Sequence, residues 1–146
     1  MKIEGTGKCK KGVCMRDLLT KIVGDLGAGG MDFLAVEFTG DTIENATLAE
    51  RITLCSMVTE MSGKVPLIMP NGEVLKWLAE RAGPEVETLA RELAADPDAQ
   101  YCPVLRYARR QPAPMAPSPH PPANLQPLPA LPGTPPHPGT DAPCPH

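Results

Sequence analysis

Between Thr47 and Met61 the apolar residues Leu48, Ile52, Cys55 and Val58 recur in steps of four and three. That spacing predicts a helix with one apolar stripe turned toward a core. Thr47 and Glu50 stand at its start as a Thr-x-x-Glu capping box, in which hydroxyl and carboxylate satisfy backbone donors reciprocally. Ser56 and Glu60, four apart, project together beside the stripe. Upstream, Met15, Leu18, Leu19, Ile22, Val23 and Leu26 predict a helix over residues 14–26, with Gly27 as its stop. The run from Asp32 to Thr39 reads as a mostly buried strand, with Gly40-Asp41 as its turn. Val65 to Met69 is a second strand, which Pro66 places at an edge or has only begin there, and Lys2 to Gly7 is a short strand or lead-in. After the Pro70-Asn71-Gly72 turn, Val74, Leu75, Leu78 and Ala82 share one side of a helix. Pro84 opens another that turns Val86, Leu89, Ala90 and Leu93 inward and ends at Asp96-Pro97-Asp98. Strands alternating with helices point to an α/β layered unit. Two or three short strands make a small sheet, whose apolar faces need cover.

Composition divides the 146 residues in two. Residues 1–110 hold all 14 Lys and Arg and 16 of the 17 Asp and Glu, a net charge of −2. Residues 111–146 hold 14 of the 19 prolines and one charge, Asp141. The first segment is long enough for a modest core. The second repeats Pro-x-x-Pro, as at Pro114/Pro117 and Pro129/Pro132, and is expected to be a disordered tail that samples polyproline II. As a ligand for proline-recognition domains it lacks Arg109 and Arg110 in the right register. Out-of-frame translation of GC-rich sequence is a further alternative, because composition changes abruptly at Arg110.

No basic run interleaves with aromatics, so nucleic acid is not an expected partner. No apolar run approaches the roughly 18 residues of a membrane span. The first residues lack the apolar centre of a signal peptide, which leaves the cytoplasm as the default compartment. Cysteines 9, 14, 55, 102 and 144 are odd in number and form no Cys-x-x-Cys pair, so neither a disulfide framework nor a metal-ligand spacing is present. Gly5-Thr6-Gly7 lacks the further residues of a phosphate loop, and the glycines from 24 to 30 do not reproduce the dinucleotide fingerprint. Ser56 and Glu60 therefore hold the one constellation of interest. A carboxylate and a hydroxyl at the border of a buried face are either a site or the solvated edge of an amphipathic helix.

With these segments in place, residues 2 to about 107 resemble the large subunit of the 3-isopropylmalate dehydratase and homoaconitase branch of the aconitase family. The likeness runs through Gly12-Val13-Cys14-Met15-Arg16-Asp17-Leu18-Leu19 and Val36-Glu37-Phe38-Thr39-Gly40-Asp41-Thr42-Ile43. Its firmest part runs from Arg51-Ile52-Thr53-Leu54-Cys55-Ser56 to Met57-Val58-Thr59-Glu60-Met61. That stretch is similar to the family's Arg-Met-Thr-Ile-Cys-Asn-Met-x-x-Glu-x-Gly-Ala. Asp96-Pro97-Asp98-Ala99-Gln100-Tyr101 looks like its Ser-Asp-x-Asp-Ala-x-Tyr.

The resemblance implies a partial three-layer α/β/α unit of the aconitase type, about a quarter of a family large subunit. It implies a hydro-lyase that moves water across a carbon–carbon double bond of a small hydroxy-carboxylate, aided by a small swivelling-domain subunit. It also implies a 4Fe-4S cluster acting as Lewis acid. The family's three cluster cysteines match none of the five here. By the same resemblance Glu60 corresponds to the signature Glu that organises the hydroxyl or water at the site. Ser56 stands for the Asn and keeps a hydrogen-bonding group but loses the amide's reach. Ser62-Gly63-Lys64 stands where the family has Gly-Ala. Two functions follow as expectations: a truncated piece of such a dehydratase, inactive by itself, or a non-catalytic binding and assembly module with a proline-rich tail.

Overall fold

The computed structural model describes residues 1–8, 13–108, 115–117 and 125–127. The chain runs β1 (Lys2–Thr6), α1 (Met15–Leu26), β2 (Ala35–Thr39), α2 (Asp41–Glu44) and α3 (Leu48–Met57), which continues as a 3-10 turn over Val58–Met61. There follow β3 (Val65–Ile68), α4 (Gly72–Ala82), α5 (Val86–Glu92) and β4 (Val104–Ala108). Two short strands, β5 (Met115–Pro117) and β6 (Leu125–Pro127), pair antiparallel.

The four long strands form one parallel sheet in the order β3-β2-β1-β4. Ile3 aligns with Phe38 and Leu105, and Phe38 with Ile68, so alternation puts these residues on one face. That face, with Val36, packs on Leu18, Leu19 and Ile22 of α1 and on Leu54 of α3, and this layer is the core. The opposite face carries Lys2, Glu37, Leu67 and Val104 in one row. There α4 and α5 close only part of the β3 side and leave an apolar groove of about 620 Å³ between Leu67, Leu78, Leu89 and Leu93. The architecture is α/β, with one helical layer filled and the other partial. Leu67 is 51% exposed, and Leu89 and Leu93 are exposed beside it. Among the described residues no helix is long and apolar enough to cross a membrane.

Several expectations change on contact with the fold. The second strand begins at Ala35 rather than Asp32, because residues 31–33 form a turn in which Phe33 takes φ 60 and is 82% exposed, with Lys64 over its ring. Pro66 does lie in an edge strand, β3, where its missing N–H costs no ladder bond. β4 adds a strand beyond those expected. The stripe of the signature helix is corrected. Of the expected stripe Val58 is fully buried, together with Leu54 and Met61, whereas Ile52 is 59% exposed and Leu48 and Cys55 are half-buried. The disordered-tail expectation falls on residues outside those described, apart from the paired segments β5 and β6.

One titration follows from this packing. Tyr107 of β4 is half-buried on the core face, and burial, with Asp25 beside it, pushes its hydroxyl up to about 12. Unfolded tyrosine ionises near 10, so the folded chain holds this proton more tightly. The contribution to stability is present in full below about pH 10 and is lost as pH rises toward 12. Urea unfolding of the chain and of Tyr107→Phe should show a stability difference constant below pH 10 and shrinking above it. A difference that stays constant to pH 12 contradicts this placement.

Candidate functional site

The residues that follow β1, β2 and β3 are tied together at one end of the sheet by Asp41, Thr42 and Arg51. Gly40 leaves β2 with φ 96 and ψ 166 and starts α2. The next carboxylate, Asp41, accepts hydrogen bonds through Oδ1 from the backbone N–H of Gly7 and of Thr42, both at 2.9 Å. Thr42 Oγ donates back to the Gly7 carbonyl at 2.7 Å. These bonds tie the loop after β1 to the start of α2. Glycine at positions 7 and 40 thus serves a backbone junction, not an anion cradle.

Arg51, only 5% exposed, holds the other end of α2. Its Nε donates to the Ala46 carbonyl at 2.9 Å, one terminal nitrogen to Met69 at 2.7 Å, and the other to Ile43 at 2.8 Å and Glu44 at 3.1 Å. Asn71 adds a bond from Nδ2 to the Glu44 carbonyl at 2.8 Å, while its Oδ1 accepts from Val74 N–H and caps α4. Helix ends leave carbonyls without intrahelical partners, and the rigid five-donor fork of arginine suits several at once. Burial lowers the guanidinium's pKa, and Glu73 and Glu44 oppose that shift.

The capping box at Thr47 and Glu50 forms as its residues predict: Glu50 N–H donates to Thr47 Oγ at 3.3 Å, and Thr47 N–H to the Glu50 carboxylate at 2.9 Å. Ser56 lies on the exposed side of α3 and donates to the Thr53 carbonyl at 3.0 Å. It lines a second groove, of about 680 Å³, with Ile52, Cys55, Leu67 and Val74. Glu60 is exposed in the 3-10 turn and is not part of that lining. Four α-helical steps would leave residues 56 and 60 roughly 40° apart, but tightening to the 3-10 form opens this to roughly 90°. The two side chains therefore share the end of one helix without sharing a face, and among the described residues no hydrogen bond joins them. The turn ends at Ser62, which takes the left-handed conformation (φ 63) and donates to the Ala28 carbonyl at 3.0 Å.

The described cysteines sit on three separate elements. Cys14 precedes α1 and is exposed, Cys55 is half-buried in α3, and Cys102 is exposed ahead of β4. Burial pushes the Cys55 thiol up, against the pull of Arg51, which disfavours the reactive thiolate form. Among the described residues no three His, Cys, Asp or Glu side chains come together as a metal-binding group. A cysteine-ligated iron–sulfur cluster does not fit them.

Residue patterning missed Arg51, Asp41 and Asn71 as backbone pins. An arginine in the middle of a helix that must be buried was the available signal for the first. It also missed Tyr101, whose hydroxyl donates to the Glu37 carboxylate across the open sheet face; that bond holds the phenol above its ordinary range.

A family model described as "Aconitase family (aconitate hydratase)" matches residues 1–136. The 3-isopropylmalate dehydratase large subunit 1 of Methanopyrus kandleri is 33% identical over 100 residues, 68% of this chain and 23% of that protein. The probable methanogen homoaconitase large subunit of Methanothermobacter thermautotrophicus is 38% identical over 101 residues, 69% of this chain and 23% of that protein. For the 3-isopropylmalate dehydratase large subunit of Heliobacterium modesticaldum the figures are 32% over 128 residues, 88% of this chain and 30% of that protein. The chain thus spans between 23% and 30% of the length of these curated relatives.

Proposed function

The chain belongs to the aconitase family, and from that premise we propose that it is a segment of a hydro-lyase large subunit of the 3-isopropylmalate dehydratase type. The observation that carries the proposal is the match over residues 1–136, in which the signature stretch falls on one helix and its 3-10 end. The substrate class is a small hydroxy-carboxylate, and the partner is a small subunit, as the name "large subunit" of the relatives implies. Within this segment Glu60 is the candidate catalytic residue: exposed at the end of α3, its carboxylate is open to accept a hydrogen bond from a substrate hydroxyl. Ser56, on the wall of the neighbouring groove, is a second, positioning group. The family's 4Fe-4S cluster supplies Lewis-acid chemistry, and its ligands are assigned to residues outside this chain. One carboxylate cannot replace both a Lewis acid and a proton-transfer partner, so the chain by itself is proposed to be inactive.

A binding and assembly module is the second reading, favoured by the two apolar grooves and the exposed Leu67, Leu89 and Leu93. The same surfaces are those the remainder of a large subunit would cover, so the first reading accounts for them without a further partner.

A chimera separates the two. Residues 1–108 replace the corresponding segment of the Methanopyrus relative, and the chimera is purified with that protein's small subunit and reconstituted with iron and sulfide. Turnover of 3-isopropylmalate is expected, and Glu60→Gln should lower it by about 10²- to 10⁴-fold, the usual range for a positioned acid–base group. A cluster-loaded chimera without turnover, or one that Glu60→Gln leaves at full rate, contradicts the assignment.

A further inference from the structure

We infer that the ribbon of β5 and β6 is a docked part of the folded unit, seated on α1 by Leu125 over Gly24. Gly24 is a half-buried position on the outer side of α1. A Cβ built there would lie 2.4 Å from Leu125 Cδ1 and 3.2 Å from its Cγ, so the leucine occupies the space a side chain at 24 would need. Leu125 is itself half-buried, and both β5 and β6 lie against α1.

The pairing of β5 with β6 argues the same way. Its register matches Met115 with Pro127, Ala116 with Gln126 and Pro117 with Leu125. Two of these six residues are prolines and donate nothing to a ladder. A two-stranded ribbon is marginal even with all its bonds, so this one needs the apolar support of α1 to persist.

The extent of the similarity is an independent observation. The family match runs to residue 136, and an alignment of 128 residues cannot be contained in the first 110. The residues of β5 and β6 therefore lie within the related sequence, which fits a ribbon that packs on α1. A segment held in this way is not a free polyproline ligand, because recognition domains need an extended, accessible PPII stretch.

The test uses the full 146-residue chain with ¹³C-labelled leucine methyls and ¹⁵N,¹³C-glycine. The expected result is a Leu125 methyl pair shifted from random-coil positions, with nuclear Overhauser contacts to the Gly24 α-protons. Thermolysin cleavage before Met115, at the start of β5, is then compared with that in Gly24→Leu, which fills the notch, and in Leu125→Asp, which unseats the ribbon from its own side and leaves the four-stranded sheet untouched. Cleavage should be about tenfold faster in either variant, since it follows the population of the open segment. Random-coil Leu125 methyls, or equal cleavage in the chain and in Leu125→Asp, overturn the docking and leave the hydro-lyase reading where it stands.

Discussion

Arg51→Met is expected to lower the thermal midpoint of the chain by about 15 °C or to abolish the cooperative transition. The substitution keeps the length of the side chain and its apolar stem but removes every donor. Four carbonyls, from Ile43, Glu44, Ala46 and Met69, then lose the guanidinium at once. Deleting one partner from a buried charged network typically costs about 3–5 kcal/mol, because the groups left behind stay desolvated and unpaired. For a domain of about 100 residues each kcal/mol moves the midpoint by about 4–8 °C. Asn71 still reaches Glu44 and, at 3.4 Å, Ala46, and the Ala46 N–H still reaches the Ile43 carbonyl, so α2 is not wholly released. Arg51→Lys should fall between the two, since an ammonium offers three donors from one point and cannot span carbonyls on α2 and at the end of β3 together. A midpoint within 3 °C of the unsubstituted chain, read by circular dichroism, contradicts the role assigned to Arg51.

Gly40→Ala is the second large effect. Two penalties act on the same methyl group. Gly40 holds φ 96 with ψ 166, a region essentially reserved for glycine. A Cβ at that position would also lie 2.3 Å from the carbonyl oxygen of Gly5, which belongs to an interior strand of the sheet. The strand cannot retreat without opening its pairing with β2 and β4 on either side. A loss of about 3 kcal/mol or more is expected, at the upper end for a single methyl. Gly7→Ala provides the contrast: its φ is 90, but nothing lies within 4 Å of the added atom, so only the backbone penalty remains. Urea midpoints for the two variants should differ in that order, and an equal or reversed order contradicts the close approach of Gly40 to β1.

The comparison of the two glycines also shows which parts of this molecule were legible in sequence. The turn after Thr39 was readable, and so were the capping box at Thr47 and the edge position of Pro66, because each depends on chemistry within a few residues. The core face of α3 was not. Leu48, Ile52, Cys55 and Val58 follow helical spacing, and so do Leu54, Val58 and Met61, so the helix carries two apolar stripes that share Val58, and periodicity cannot rank the rest. The sheet and α1 decide, by burying the second stripe and leaving the rest of the first beside a groove. β4 escaped notice for a related reason. Val104-Leu105-Arg106-Tyr107-Ala108 is short and carries a charge, and it is a strand because β1 lies alongside it over five aligned residues. Arg106 then finds Glu4 across the strands at 2.9 Å, a contact 102 residues apart in the chain.

The site was legible by resemblance rather than by residue chemistry. Ser56 and Glu60 read as one constellation only while the helix keeps its α form through residue 60. The 3-10 end at Val58–Met61 separates them around the axis, a change no spacing rule announces. What remains is a carboxylate exposed at a helix end and a hydroxyl on the wall of a groove, both placed by a helix whose cap and arginine pin are themselves part of the matched stretch.

The most direct test of the central claim is iron and labile sulfide content after anaerobic reconstitution of the chain, with hydration and dehydration of isopropylmalate assayed in the same sample. A segment whose cluster ligands lie elsewhere should bind no stoichiometric cluster and show no turnover. A full cluster with turnover would contradict the account, because these five cysteines would then hold iron in an arrangement that neither the matched motifs nor the described geometry contains.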